Sequence, residues 1–301
     1  MNVERKRLFK RSIAFGVACV ILGTPKASQG WGAGGQMIVA QIAYGRLNSR
    51  ARAQVKTLLT IPINPAAISA KSQDFVNAAH WADDLRPFPE FDSFKALHFI
   101  DTPFSTDGTP LPPVATPNIV TALQENVDVL RTSTDENAQA QALRFIIHLV
   151  ADIHQPLHCA TRVSSANPEG DRGGNLLLIQ IRTKAGLKNT NLHSYWDSGL
   201  GTFPPTKPDF SPPPLSQIPA AAAKAKVANP ATDPALKLND PFNFQSWADE
   251  SVALAKDVAY SGITKGGEPT AAYKRKTVKV ANRRVVWAGY RLAALLNAIW
   301  Q

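Results

Sequence analysis

Cysteine is almost missing from this chain, which has only Cys19 and Cys159. Two residues cannot build a thiolate metal cluster or a disulfide framework. No apolar run approaches the ~20 residues that a membrane-spanning helix needs. The longest compact one, Ile13 to Leu22, is too short. Glycine-rich nucleotide-binding loops and internal repeats are also absent, which excludes dinucleotide-fold and solenoid readings. Histidine is scarce, with 6 in 301 residues, so its placement carries information.

The first thirty residues read as an export signal, not as part of a fold. Arg5, Lys6, Arg7, Lys10 and Arg11 precede the apolar stretch, and Ser28-Gln29-Gly30 forms a small-x-small cleavage site. A membrane anchor and a lipid-modified Cys19 are the alternatives, and Gly16 disfavours the second. Residues 1–30 are therefore expected to leave, giving a secreted or periplasmic protein that begins at Trp31, without membrane attachment. Six basic residues and Glu4 leave with them, and the net charge falls from +10 to +5. That balance is compatible with an acidic polymer partner without requiring one. Cys159 is then alone, and a small buried thiol is favoured over a nucleophile or metal ligand.

Residues 31–301 read as one mainly helical domain, an all-α fold. Helices are expected over Gln36 to Leu47, Arg50 to Leu59, Ser72 to Leu85, Asn118 to Arg131, Asn137 to Ile153, Phe244 to Tyr260 and Val280 to Trp300. Leu97 to Ile100 looks extended. Leu176 to Arg182 is the one convincing strand, with its partner undefined. The stretch from Phe203 to Asp240 is rich in proline, and it is expected to be a surface insertion because helices resume after it.

The stretch FIIHLVADIHQPLH, Phe145 to His158, organises the rest. His148 and Asp152 are four apart and share one face of a helix that is apolar nearly all round, so both should be buried. A buried carboxylate is costly without a positive neighbour, and no Lys or Arg lies between Phe145 and His158. A bound metal is the simplest source of that charge. Pro156 ends the helix and brings up His158. His193 and Asp197 repeat the His-to-Asp spacing, and His98 and Asp83 lie upstream. Imidazole with carboxylate, and no thiolate, is a donor set suited to zinc. A single such pair would equally serve as a helix-surface hydrogen bond. His154, on another face, is expected to support a ligand or lie at the surface.

Trp31-Gly32 with Gly35, then WAD, HFID, HLVADIHQPLH, GGN and NLHSYWD, follow the order of motifs in the zinc-dependent type I single-strand-preferring nucleases of fungi, plants and bacteria. The resemblance runs from Trp31 to about Asn297 and weakens in the proline-rich insertion. These proteins share a fold with the zinc phospholipases C, and the lone cysteine resembles bacterial members. The resemblance implies a helical domain with a trinuclear zinc cleft, expected to be monomeric. Asp83, His98, His148 and Asp152 would hold one zinc, and His158, His193 and Asp197 a second. Trp31, through its freed amine and carbonyl oxygen, would hold a third with Asp152 bridging. Asp83, Arg86 and Asp152 would take part in catalysis, with Arg86 on the leaving 3′-oxygen. Phe99 and Asp101 would bind an unpaired base of single-stranded DNA or RNA. Asp101 is alternatively a carboxylate orienting a ligand histidine, and Phe99 a core residue. Products would carry 5′-phosphates, with 3′-nucleotidase activity as an associated possibility.

One position departs from the family. Gln36 stands where its members have a histidine, and a neutral amide is a poor zinc ligand. A divergent member with altered metal content, a loss of function and a deliberate substitution are all open readings. The other seven side-chain ligands are present, which favours a retained fold and at least partial metal loading. The competing functions are a zinc phospholipase C, disfavoured by Asp197 and HFID, and a non-catalytic nucleic-acid- or metal-binding relative.

Overall fold

The computed structural model describes residues 30–207 and 211–301. The export-signal reading concerns residues that lie, but for Gly30, outside that range. Helices come in chain order as α1 (Ala33–Tyr44), α2 (Ser49–Thr60), α3 (Ala66–Ser69), α4 (Phe75–Ala78) and α5 (Trp81–Asp84). A 3-10 stretch, Pro89–His98, leads to strand β1 (Thr102–Ser105). The central pair is α6 (Ile119–Thr132) and α7 (Glu136–Asp152), followed by a 3-10 turn at Pro156–His158 and β2 (Ala160–Val163). Then come β3 (Leu178–Thr183), β4 (Gly186–Asn191), α8 (Leu192–Asp197), α9 (Ile218–Val227), α10 (Phe244–Leu254) and α11 (Ala271–Ile299). The fold is mainly helical, and none of the described helices is long and apolar enough to cross a membrane.

α7 is the central element. Its N-terminus is capped by Asp135, whose carboxylate accepts from the Asn137 and Ala138 amides. From Ala142 to Asp152 every residue is buried, so this part of the helix is surrounded, as an all-round apolar sequence requires. α1, α2, α5, α6 and α11 all touch it. α1 and α11 approach closely at Gly289, where a Cβ would come within 2.7 Å of the Ile42 side chain. Only a residue without a side chain fits that crossing.

Several boundaries differ from the sequence reading for definable reasons. The helix expected over Ser72 to Leu85 is broken: α4 stops at Ala78, His80 leaves helical geometry, and α5 restarts at Trp81. The break leaves the Ala79 carbonyl to accept from His148 Nδ1 at 2.7 Å. Extended backbone in LHFID begins at Phe99, because Leu97 and His98 finish the 3-10 stretch. β1 pairs in parallel with β2, a contact between distant segments that local pattern does not display. The partner of β3 is β4, the next segment, joined through Lys184 and Ala185 in an antiparallel hairpin. α11 starts before Val280 because its first turns are polar and are held by the Thr270 cap on the Tyr273 amide. The proline-rich segment contains α9, whose Ile218, Ala222 and Ala225 are buried against α1 and α11.

The end of α7 is braced by an ionic cluster of two buried guanidiniums and a partly exposed carboxylate. Glu250 accepts from Arg291 through both carboxylate oxygens (2.7 Å each) and from Arg284 Nη1 (2.7 Å). Arg284 also donates to the His154 carbonyl (3.1 Å) and to Ser251 Oγ (2.7 Å), and Ser251 donates to the Ile153 carbonyl (2.6 Å). His154 is part of this core, not of the surface: its Nε2 accepts from Arg291 at 3.0 Å, and burial holds its pKa well below the usual range. Removing the shared carboxylate would leave two guanidiniums, each with 1 % side-chain exposure, facing each other. Glu250 itself is 30 % exposed, so Glu250→Ala is expected to cost about 1–3 kcal/mol in urea unfolding, and a loss below about 0.5 kcal/mol would show that water screens the cluster.

Candidate metal centre

Seven acidic and imidazole side chains from five segments meet at one buried place. α5 supplies Asp83, and the 3-10 stretch before β1 supplies His98. α7 supplies His148 and Asp152, the Pro156 turn His158, and α8 His193 with Asp197. All are buried, and His148 and Asp152 have no exposed surface. Among the described residues, two groups have donor atoms within 4.8 Å of one another: Asp83, His98 and His148, and separately His158, His193 and Asp197.

The strand pair explains how the groups come together. The Ile100 amide donates to the His158 carbonyl (2.8 Å), the Thr102 amide donates to the Cys159 carbonyl (3.3 Å), and His158 Nδ1 reaches the His98 carbonyl (2.8 Å). The segment carrying His98 is thereby fixed to the segment carrying His158. Cys159 is sealed in the same layer; burial is the main cause of a thiol pKa pushed up to about 12, which makes it neither nucleophile nor ligand.

The donor atoms are spaced as ligands. His148 Nε2 lies 2.9 Å from Asp152 Oδ2 and 2.9 Å from His98 Nδ1, and His98 Nδ1 lies 3.1 Å from Asp152 Oδ2. Asp83 Oδ1 is 3.8 Å from each of the two ring nitrogens. Four donors around a tetrahedral cation with bonds near 2.1 Å would sit about 3.4 Å apart, inside this spread. In the second group His193 Nε2 is 3.5 Å from Asp197 Oδ1 and has no hydrogen-bond partner although buried. A buried nitrogen without a partner is expensive unless something binds there.

Tautomers are fixed from behind. His148 Nδ1 pairs with the Ala79 carbonyl (2.7 Å), His158 Nδ1 with the His98 carbonyl (2.8 Å), and His193 Nδ1 with the Gly173 carbonyl (2.7 Å). Each ring donates its Nδ1 proton backwards and turns the Nε2 lone pair into the site, as metal-ligating histidines do. These backbone acceptors leave no trace in the sequence. Gln155, whose Nε2 donates to Asp197 Oδ1 at 2.8 Å, is a further supporting residue that pattern alone does not reveal.

Electrostatics favour a cation. Burial is the largest influence on Asp152 and raises its pKa, yet His148, His98 and His158 together hold it well below the usual carboxylate range. Without a cation, His148 must supply charge itself. Burial pushes its pKa down, but the Asp152 and Asp83 carboxylates prevail and raise it to about 9. Burial, with His148 and Arg86 nearby, lowers His98 to about 4 against its hydrogen bond to Asp152. A divalent cation would replace the proton on His148. The two triads, with Asp152 joining the first, fit such ions.

The expected third position does not fit. Gln36 is fully buried, and its Nε2 donates to Asp152 Oδ1 (3.2 Å) and Asp83 Oδ2 (3.3 Å). Its Oε1 is left buried and unbonded, at a cost of about 1–3 kcal/mol. The reverse orientation would set a carbonyl oxygen against two carboxylates. Trp31 is fully buried, edge-on to Phe203 at 5.5 Å, and the next residue, Gly32, donates its amide to the Asp197 carbonyl at 2.8 Å. The residue before it, Gly30, lies so close that a Cβ there would fall 1.6 Å from Asp152 Oδ1.

The remaining predicted residues lie close to the two triads in space or in sequence. Arg86 Nη2 is 2.7 Å from Asp83 Oδ1, and its charge lowers the pKa of both His98 and His193, which places it beside both triads. Phe99 follows a ligand directly and is 38 % exposed, which is unlike a core side chain. Asp101 is partly buried, and desolvation raises its pKa despite His158. Asp171 anchors a turn over residues 172–176: its Oδ1 accepts from the Arg162 and Gly174 amides (3.0 Å each) and the Tyr260 hydroxyl (2.7 Å).

That turn needs glycine at Gly173, where φ is +61° and a Cβ would come within 2.2 Å of the Leu157 carbonyl and 2.9 Å of His193 Nδ1. Gly173→Ala is expected to disturb His193 and weaken one of two metal sites by roughly 10- to 100-fold in chelator competition. Unchanged release of both ions would show that the carbonyl does not orient the ligand.

The chain is similar in sequence to a coherent set of proteins. Endonuclease 3 of Arabidopsis thaliana is 28% identical over 289 residues, covering 90% of this chain and 89% of that protein. Nuclease S1 of Aspergillus oryzae is 25% identical over 303 residues, covering 94% and 96%. Nuclease P1 of Penicillium citrinum is 27% identical over 174 residues, 56% of this chain and 57% of that one. The family profile described as S1/P1 Nuclease matches residues 31–301, the whole span that holds the seven buried acidic and imidazole side chains. The chain belongs to the S1/P1 nuclease family.

Proposed function

We propose that this protein hydrolyses single-stranded DNA or RNA with zinc in its two triads, leaves 5′-phosphate ends, and acts outside the cytoplasm after cleavage between Gly30 and Trp31. Family membership makes it a metal-dependent endonuclease acting on phosphodiester bonds. The observation that carries the finer reading is the arrangement around Asp152. Two sets of nitrogen and oxygen donors meet there, with a fixed guanidinium on one side and an exposed aromatic ring beside a ligand.

Divalent cations held by Asp83, His98, His148 and Asp152, and by His158, His193 and Asp197, would supply Lewis-acid polarisation of the phosphate and a water nucleophile active near neutral pH. The protein's own groups do the rest. Arg86, partly exposed and tied to Asp83, offers a charge to the departing 3′-oxygen. Phe99 presents a ring face on which an unpaired base can stack, and a base within a duplex is not available to it. Asp101, beside it in sequence, offers a carboxylate to base-edge donors. Burial of the ligand cluster keeps its geometry fixed while substrate binds.

The cleavage proposal has local support. Gly30, the residue before Trp31, abuts the Asp152 carboxylate and so lies against the centre. Removing it uncovers that side.

The test is cleavage of labelled single-stranded and duplex DNA by protein beginning at Trp31, zinc-loaded and chelator-stripped, with end-group analysis. Zinc-dependent cutting of single strands to 5′-phosphate ends is expected. Absence of cutting by zinc-loaded protein, or hydrolysis of phospholipid vesicles instead, would refute the assignment. Phe99→Ala is expected to lower kcat/KM on single strands by roughly 10- to 100-fold without changing metal content. An unchanged value would remove Phe99 from substrate binding.

A further inference from the structure

Asp83 and Asp152 divide their oxygens between two neighbours. Asp83 Oδ1 and Asp152 Oδ2 are the atoms nearest the His98 and His148 nitrogens. Asp83 Oδ2 and Asp152 Oδ1, their outer oxygens, both face Gln36 Nε2. An amide nitrogen carries two N–H groups, and here it has two carboxylate acceptors. The same nitrogen stands 3.5 Å from His148 Nε2.

We infer that the Gln36 amide occupies the position of a cation on the outer side of the cluster: it is a positioning residue for Asp83 and Asp152, and it limits the centre to two metal ions. The inference rests on the reading of the two triads as metal sites. The geometry supports it in three ways. The amide donates to the same oxygens that a further ion would need. It is neutral, so it adds no charge to a site already served by two divalent ions. It is fully buried with Gly30 in place, and its hydrogens are directed at the two carboxylates.

The experiment is metal analysis of zinc-loaded, desalted protein, with chelator competition for affinity and far-ultraviolet circular dichroism for folding. The parent should hold two zinc ions per chain. Gln36→Met keeps the length and removes both donors; it should hold two ions and release them to chelator about 10- to 100-fold more readily. Gln36→Glu replaces the donors with a third carboxylate and should raise the stoichiometry to three. A parent that holds three ions overturns the inference. So does a folded Gln36→Met protein with parental affinity, or a folded Gln36→Glu protein that stays at two. Should either variant misfold, the stoichiometry of the parent decides. None of these results depends on nucleic-acid cleavage. Loss of the nuclease reading would show separately, as two bound ions with intact single-stranded DNA.

Discussion

Two carboxylates buried against each other's imidazole partners are the constraint on which this structure depends. Asp152 has no exposed surface and Asp83 almost none. Isolated in a protein interior, such charges would cost several kcal/mol each. Here they are met by imidazole rings, one guanidinium and one amide, and the histidine nitrogens that face inward want a cation. Ligand binding to such a site adds directly to folding stability, about 2.7 kcal/mol at a hundredfold excess over Kd. Metal is therefore part of what the fold is built to hold, in a described chain whose single cysteine can form no intrachain disulfide.

The architecture serves that constraint at each level. α7 is buried on all sides so that His148 and Asp152 are removed from water. The Glu250–Arg284–Arg291 cluster fixes the backbone at Ile153 and His154, where the helix ends and the second ligand set begins. The short parallel pair β1–β2 ties His98 to His158, and the turn at Gly173 aims His193. Phe99 follows His98 directly in sequence, and Arg86 lies three residues after Asp83 with its Nη2 2.7 Å from Asp83 Oδ1, so the fixed geometry of the cluster is passed on to both.

Much of this was legible in the sequence, and the reasons are local. The spacing of His148 and Asp152 within an apolar run foretold a buried polar pair, because helix periodicity and burial are both short-range properties. Helices α2, α6 and α7 fall within a residue or two of the ranges read from their patterns. What could not be read depends on contacts between distant segments. The break at His80 makes sense only once the Ala79 carbonyl meets His148 Nδ1. The β1–β2 pairing joins residues far apart in the chain. The proline-rich segment looked superficial, yet Phe203 packs on Trp31 and α9 on α1. Gln36 was visible as a departure from the family, but its grip on two carboxylates was not.

The most direct test of the central claim is anomalous diffraction at the zinc absorption edge from crystals of zinc-loaded protein beginning at Trp31. Two peaks are predicted, one among Asp83, His98, His148 and Asp152, the other among His158, His193 and Asp197. The absence of a peak at either cluster, with the ligand side chains in the arrangement described, would contradict the account. The buried carboxylates would then have to be balanced by protons alone.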